Sequence, residues 1–179
     1  MLGEGACTLV LEARDRALAR GAPVLGEVTG FATNSDGAHV VRPRPETMER
    51  VMRDALTDAG VAPDDIGFVS AHATATRFGD VAEGTATAAV FGDRVPVASL
   101  KGHTGHTLGA CGAFEAWATL NMLIQQRFAP TLNLHQPDPE CGELDHVMHE
   151  HRRIDAERIM SNNFAFGGIN TSLILARHA

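Results

Sequence analysis

The chain has 179 residues, 44% hydrophobic and 21% charged, a composition that suits an ordinary soluble globular protein with a sizeable core. A net charge of −7 excludes a general nucleic-acid binder, and three scattered cysteines (Cys7, Cys111, Cys141) are too few for a disulfide framework or a zinc ribbon. No apolar run is long enough to span a bilayer, and Met1 leads into GEGACTLVLE rather than a signal core, so a cytoplasmic protein is the default expectation.

GEGACTLVLE reads as a strand, and EARDRALARG as a short helix ending at Gly21. VLGEVTGFATNSDG reads as a second strand running into a polar loop at 34–37. In RPRPETMERVMRDALTDAG, Met48, Val51, Met52, Ala55, Leu56 and Ala59 recur at helical spacing, and Gly60 closes the helix. IGFVSAHATAT is a short apolar run that opens into small polar residues, as a buried strand does on entering a loop. Asp80 is the expected cap of the helix DVAEGTATAAVFG, with Glu83 at capping-box distance. VPVASL is another buried strand. The helix from Gly109 to Gln126 is apolar nearly all round, which predicts burial on most sides. The stretch 127–153 carries turn chemistry and predicts a long excursion with little regular structure. RIMSNNFAF and NTSLILAR, joined at Gly167-Gly168, read as a closing pair of strands. The order from residue 24 is strand-helix three times and then two strands, which predicts an α/β layer on a mainly parallel sheet.

Fourteen of the 15 basic residues are arginine; the one lysine is Lys101, at the start of KGHTGHTLGACGAFE. Arginine and lysine differ in shape and hydration, so a site that needs a compact point charge cannot take a guanidinium. Glu115 interrupts the most apolar helix, where a lone carboxylate would be costly unless paired, and Lys101 is its natural partner. His72 follows one buried strand and His106 the next. Parallel neighbours bring such strand ends to one edge, where two neutral imidazoles facing one oxygen would stabilise an enolate or oxyanion. His72, His103 and His106 also suit a metal by spacing, but the surrounding glycines favour close backbone approach over rigid ligands. Cys111 stands near a helix start between Ala110 and Gly112, and reads as a packed core residue rather than a nucleophile. His146, His149 and His151 read as solvated surface. Phe164, Phe166 and the Gly167-Gly168 pair form a third loop, either a backbone approach to substrate or an ordinary hairpin.

HATAT with Gly79-Asp80 and Glu83, KxxxGHxxGxxGxxE over 101–115 and NxFxFGGxN over 162–170 resemble the β-ketoacyl-[acyl-carrier-protein] synthases, condensing enzymes of fatty-acid and polyketide synthesis. The likeness runs along the whole chain and also takes in GEGACTLVLE, NSDGAH around His39, and APTLNLHQPDPEC. It implies one half of a layered thiolase-like α/β sandwich, with residues 1–22 as the last strand and helix of the N-terminal half and 23–179 as the C-terminal domain. The implied activity is a decarboxylative Claisen condensation. His72 and His106 then promote decarboxylation, Lys101 and Glu115 form the supporting ion pair, and Phe166 gates the site. Thr74, Thr76, Phe164, Gly167, Gly168 and His39 become the substrate-binding set. No metal or cofactor is expected; the expected partners are an acyl carrier protein, the N-terminal half that would bring the nucleophilic cysteine, and a second copy in a homodimer. None of the three cysteines matches the nucleophile's motif, and Met1 stands where the family runs on from a preceding strand, which predicts a truncated chain. Ala73, Ala75, Ala165 and Ile169 depart from the family's usual residues, glycine at the first and third and threonine at the last. A non-catalytic partner of the chain-length-factor kind, an inactive fragment, and a thiolase or non-decarboxylating enzyme are the alternatives. The two retained histidines disfavour the first and the last.

Overall fold

The computed structural model describes residues 1–178. After a short helix α1 (Arg14–Ala19), strand β1 (Glu27–Ser35) leads to α2 (Pro45–Ala59), β2 (Phe68–Ser70), α3 (Arg77–Phe91) and β3 (Pro96–Ala98). A single turn of helix, α4 (Lys101–Thr104), and a 3-10 turn precede α5 (Cys111–Gln125). Then come three two-residue strands, β4 (Arg127–Phe128), β5 (Asp145–His146) and β6 (Arg152–Arg153), before the closing pair β7 (Arg158–Ala165) and β8 (Ile169–Ala176).

Six strands form one sheet in the order β1-β8-β7-β2-β3-β5. The β1–β8 and β8–β7 pairings are antiparallel, whereas β7–β2, β2–β3 and β3–β5 are parallel. The sheet is therefore mixed: the closing hairpin turns its direction, and β1 adds to that hairpin's outer edge. Neighbouring residues on one strand face opposite layers, as the pleat requires. Val69, Met160 and Ile174 pack with Met48, Val51, Met52 and Ala55 of α2 and with Ala82, Ala86 and Val90 of α3. Phe68, Ile159 and Leu175 pack on the opposite face with Ala116 and Leu123 of α5 and with Phe128. The result is a three-layer α/β/α arrangement whose two cores the central strands share.

Four expectations change. GEGACTLVLE forms no strand: Leu2, just before it, makes a parallel bridge to His106, the Gly3 N–H donates to the His106 carbonyl at 3.0 Å, and Val10 and Leu11 lie exposed. An apolar alternation needs a neighbouring strand to become a ladder, and among the described residues this run has none. Helix α3 starts three residues before Asp80, with Thr76 at its N-cap, so Asp80 sits inside the first turn and Glu83 makes no capping box. Helix α5 buries one face only, that of Cys111, Glu115, Ala116, Thr119 and Leu123, while Trp117 and Ile124 remain exposed. Within the excursion, β5 joins the sheet edge beside β3, which takes His146 out of open solvent.

Gly30 carries the contact between β1 and α2: a Cβ there would lie 2.6 Å from the Ala55 carbonyl oxygen and 2.7 Å from the Ala59 Cβ. Gly30→Ala is expected to destabilise the fold by about 1–3 kcal/mol through forced separation of strand and helix, measured by urea unfolding of the variant against the parent.

Candidate active site

Strands β2 and β3 run in parallel register, Ser70 beside Ala98, and the Ala71 N–H donates to the Ala98 carbonyl at 2.9 Å. Their C-terminal ends thus open side by side, one into the loop 71–76 and the other into α4. This brings His72 and His106 together edge to face, with ring centroids 5.2 Å apart and an interplanar angle of 86°. Phe164, near the end of β7, packs against His72 at 6.4 Å between centroids.

Behind the two rings lies the ion pair. Lys101 Nζ donates to Glu115 Oε1 at 2.6 Å, and both side chains are buried. The pair links the end of β3 to the second turn of α5. Burial lowers the pKa of His72 to about 3, with the Lys101 charge and then His106 acting in the same direction and Asn163 opposing them. Burial followed by the Lys101 charge also lowers that of His106. Both rings are therefore neutral near pH 7. The Leu108 N–H donates to His106 Nδ1 at 3.3 Å, which assigns the ring proton to Nε2. Cys111 lies in the same cluster, its Sγ within 4.8 Å of a His72 nitrogen and a Glu115 oxygen. Burial first, and then the Glu115 charge, push its thiol up to about 11. That is a poor nucleophile at neutral pH.

Glu83 organises the loop from below. Its carboxylate accepts from the His72 N–H at 2.8 Å and from the Ala73 N–H at 2.7 Å. Burial raises its pKa to about 7 against those two hydrogen bonds and the attraction of Lys101. Ala73 and Ala75 have φ of 25° and 59°, a region that favours glycine. The loop holds this geometry through Glu83 on one side and through Ser99 Oγ, which donates to the Ala73 carbonyl at 3.2 Å, on the other. Burial likewise raises the pKa of Asp80, whose carboxylate accepts from the Thr76 N–H at 3.3 Å.

A cavity of about 820 Å³ opens over the imidazoles. His39, Thr74, Thr76, Phe164, Phe166 and Gly168 line it with His72 and His106, so most of the expected substrate-binding set is brought together. Gly167 does not line it; its N–H donates to the Val40 carbonyl at 3.1 Å. Lys101 and Glu115 lie behind the wall rather than in it. Phe166 sits at the tip of the hairpin and is 69% exposed. Asp36 clasps that hairpin: its N–H donates to the Gly168 carbonyl at 3.0 Å, and a Cβ on Gly168 would collide with its carboxylate. Sequence reading missed Asp36 and gave Glu83 the wrong task, though the NSDG turn and a carboxylate at 83 were both visible. The Asn pair of the third motif is structural: Asn162 Oδ1 accepts from Ser172 at 2.7 Å, and Asn170 donates to Asn34 at 3.0 Å.

Of the three histidines spaced for a metal, His72 and His106 meet and His103 does not join them. The His103 ring is bonded through Nε2 to the Pro130 carbonyl at 2.8 Å, away from His72 and His106. His149 is exposed beside His135, and His151 is also exposed, as expected for a solvated cluster, whereas His146 is half-buried.

Residues 25–135 match the family model for the β-ketoacyl synthase C-terminal domain. The chain belongs to the β-ketoacyl synthase family. Among curated relatives, the 3-oxoacyl-[acyl-carrier-protein] synthase 2 of Coxiella burnetii is 39% identical, over 99% of this chain and 44% of its own length. A β-ketoacyl synthase from Burkholderia phymatum is similar in structure, with a TM-score of 0.92 and 55% identity over 94% of this chain and 41% of that one. A type II polyketide ketosynthase, solved with its acyl carrier protein and a hexaketide, gives a TM-score of 0.87 at 29% identity, over 94% of this chain and 42% of that one. The chain thus spans less than half the length of the ketosynthases it matches. These ketosynthase neighbours share the thiolase-like architecture, and the matched segment is the C-terminal part of that fold.

The two shifted groups pull stability in opposite directions with pH. His72, lowered from 6.5 to about 3, releases its proton on folding; its contribution is full above pH 6.5 and is lost as pH falls towards 3. Glu83, raised from 4.5 to about 7, takes a proton up; its contribution is full below pH 4.5 and is lost as pH rises through 7. Urea unfolding should therefore show stability declining from pH 6.5 to 8. Glu83→Gln should flatten that decline, and cost about 1–3 kcal/mol at pH 6 because an amide NH₂ then faces a backbone N–H.

Proposed function

We propose that this chain carries the decarboxylation half of a ketoacyl synthase site, acting on a malonyl thioester presented by an acyl carrier protein. The carrying observation is the pair of neutral imidazoles, edge to face at 5.2 Å, that line a large cavity above a buried ammonium. In decarboxylation the bond between the malonyl methylene and its carboxylate breaks, carbon dioxide leaves, and the electron pair passes onto the thioester oxygen as an enolate. His106 donates from Nε2 to that oxygen, and His72 faces the same point from the neighbouring loop. A neutral ring is required, because the carboxylate must not be held as an ion pair while it loses its charge, and burial with the Lys101 field supplies neutrality. The enolate carbon then attacks an acyl thioester, forming the new carbon–carbon bond and expelling a thiolate.

The acyl group's thiol is supplied from outside these 179 residues. Cys111 is buried with its thiol pushed up to about 11, Cys7 lines neither cavity, and Cys141 faces a different cavity. The N-terminal portion of the relatives is the proposed source, with residues 1–22 as its last segment and 23–179 as the domain that follows. The family match from residue 25 and the exposed apolar run at 9–11 support that division. Phe166, on the hairpin tip at the cavity rim, is the proposed gate. The carrier protein as partner is supported by the neighbour solved with one, and a homodimer remains part of the proposed assembly.

In protein that includes the thiol-bearing portion, His72→Ala and His106→Ala are each expected to lower release of carbon dioxide from malonyl-carrier protein by about 100-fold or more. Radiolabelled carbon dioxide capture measures this, with acyl loading of the thiol followed separately. Release at the parent rate from either variant would overturn the reading.

A further inference from the structure

A second cavity, of about 320 Å³, lies on the other side of the loop and helix start that wall the first. Ala73, Thr76, Arg77, Asp80 and Glu83 border both. Its far side is closed by α3, the end of β3 and the segment that returns through Cys141 to β5. Helix and segment are in close contact, since a Cβ on Gly84 would lie 2.4 Å from the Cys141 carbonyl oxygen.

Two buried polar atoms of its lining have no protein partner, Thr87 Oγ1 and His146 Nε2. Thr87 is 1% exposed and lies one helical turn beyond Glu83 on the same helix. An unpaired buried hydroxyl and an unpaired ring nitrogen in a space of this size are the conditions under which internal water is retained. Glu83 is enclosed by protein and meets this space from the opposite side to the substrate cavity. The charged and titratable groups around it are Asp80 and Arg77 on its own helix, His72 from the loop it holds, Lys101 from α4, Asp138 and Cys141 from the returning segment and His146 from β5.

We propose that the second cavity is a hydrated compartment, in which water held by Thr87 and His146 gives the Glu83 carboxyl a route to solvent independent of the substrate cavity. Glu83 can then exchange its proton while substrate fills the front cavity, and the loop carrying His72 keeps its anchor in either protonation state. Thr87 is a positioning residue, acting on Glu83 through water. The inference goes beyond the proposed reaction, and its test does not use activity.

The test has two readouts on the intact protein. A high-resolution crystal structure is expected to show ordered water on Thr87 Oγ1 and on His146 Nε2. Urea unfolding across pH 5–9 reads the Glu83 titration. Thr87→Val, which keeps the shape and removes the hydroxyl, is expected to raise that midpoint by about half a pH unit, because the carboxylate loses solvation. Thr87→Ser is expected to leave it in place. A dry cavity overturns the proposal, as does a Thr87→Val profile that superimposes on the parent's, or a serine variant that shifts as far as the valine one.

Discussion

The structure of the site depends on one buried ion pair. Lys101 and Glu115 are both nearly inaccessible and lie 2.6 Å apart, so each is tolerable only because of the other. Removing one partner would leave an uncompensated charge in the interior, at a cost of about 3–5 kcal/mol. The pair does more than join β3 to α5. Its ammonium lies close enough to both imidazoles to lower their pKa values, and close enough to Glu83 and Asp80 to oppose the rise in theirs. Burial is the larger cause at all four groups; the one point charge adds to it at the two imidazoles and works against it at the two carboxyls, a task that suits a compact ammonium. A guanidinium would spread the charge and demand a planar fork of acceptors, and Glu115 Oε1 offers a single short contact.

Glu83 is the complementary constraint. The loop 71–76 contains two alanines at positive φ, and such a loop relaxes unless its backbone groups are held. A carboxylate that accepts from two successive N–H groups does this with one side chain, at the cost of a buried acid that titrates near neutrality. His72 and Glu83 carry opposite pH signatures, so between about pH 4.5 and 6.5 their slopes offset each other.

Much of this was legible in the sequence because period and punctuation are local. The helix at 45–59 announced itself by spacing and by Gly60, which takes the left-handed cap, and the closing hairpin by two apolar runs about Gly167-Gly168. Lys101 and Glu115 were legible for an energetic reason: a lone acid in an apolar helix needs a partner, and one lysine was available. What was not legible depends on tertiary context. Asp80 and Glu83 have the pattern of a cap and its box, yet Thr76 holds the N-cap position and Glu83 turns inward to the loop. β5 is two residues long and exists only because β3 has a free edge beside it. α5 reads as buried all round, but Trp117 and Ile124 show that its outer face has no neighbour among the described residues.

That exposed face bears on how the proposed reaction divides. The groups that set imidazole neutrality, Lys101, Glu115 and the walls that desolvate the rings, all belong to this chain and to its two cores. Neutrality is thus a property of the sheet edge itself and does not wait for a nucleophile. The acylated thiol, by contrast, must approach a cavity already lined by His72, His106 and Phe164, and nothing within these residues delivers it. Trp117, Ile124 and the apolar run at 9–11 are exposed among the described residues. Under this reading, decarboxylating power and acyl loading are physically separable. The first rests on electrostatics fixed by folding, and the second on the thiol that the proposed reaction brings to the cavity.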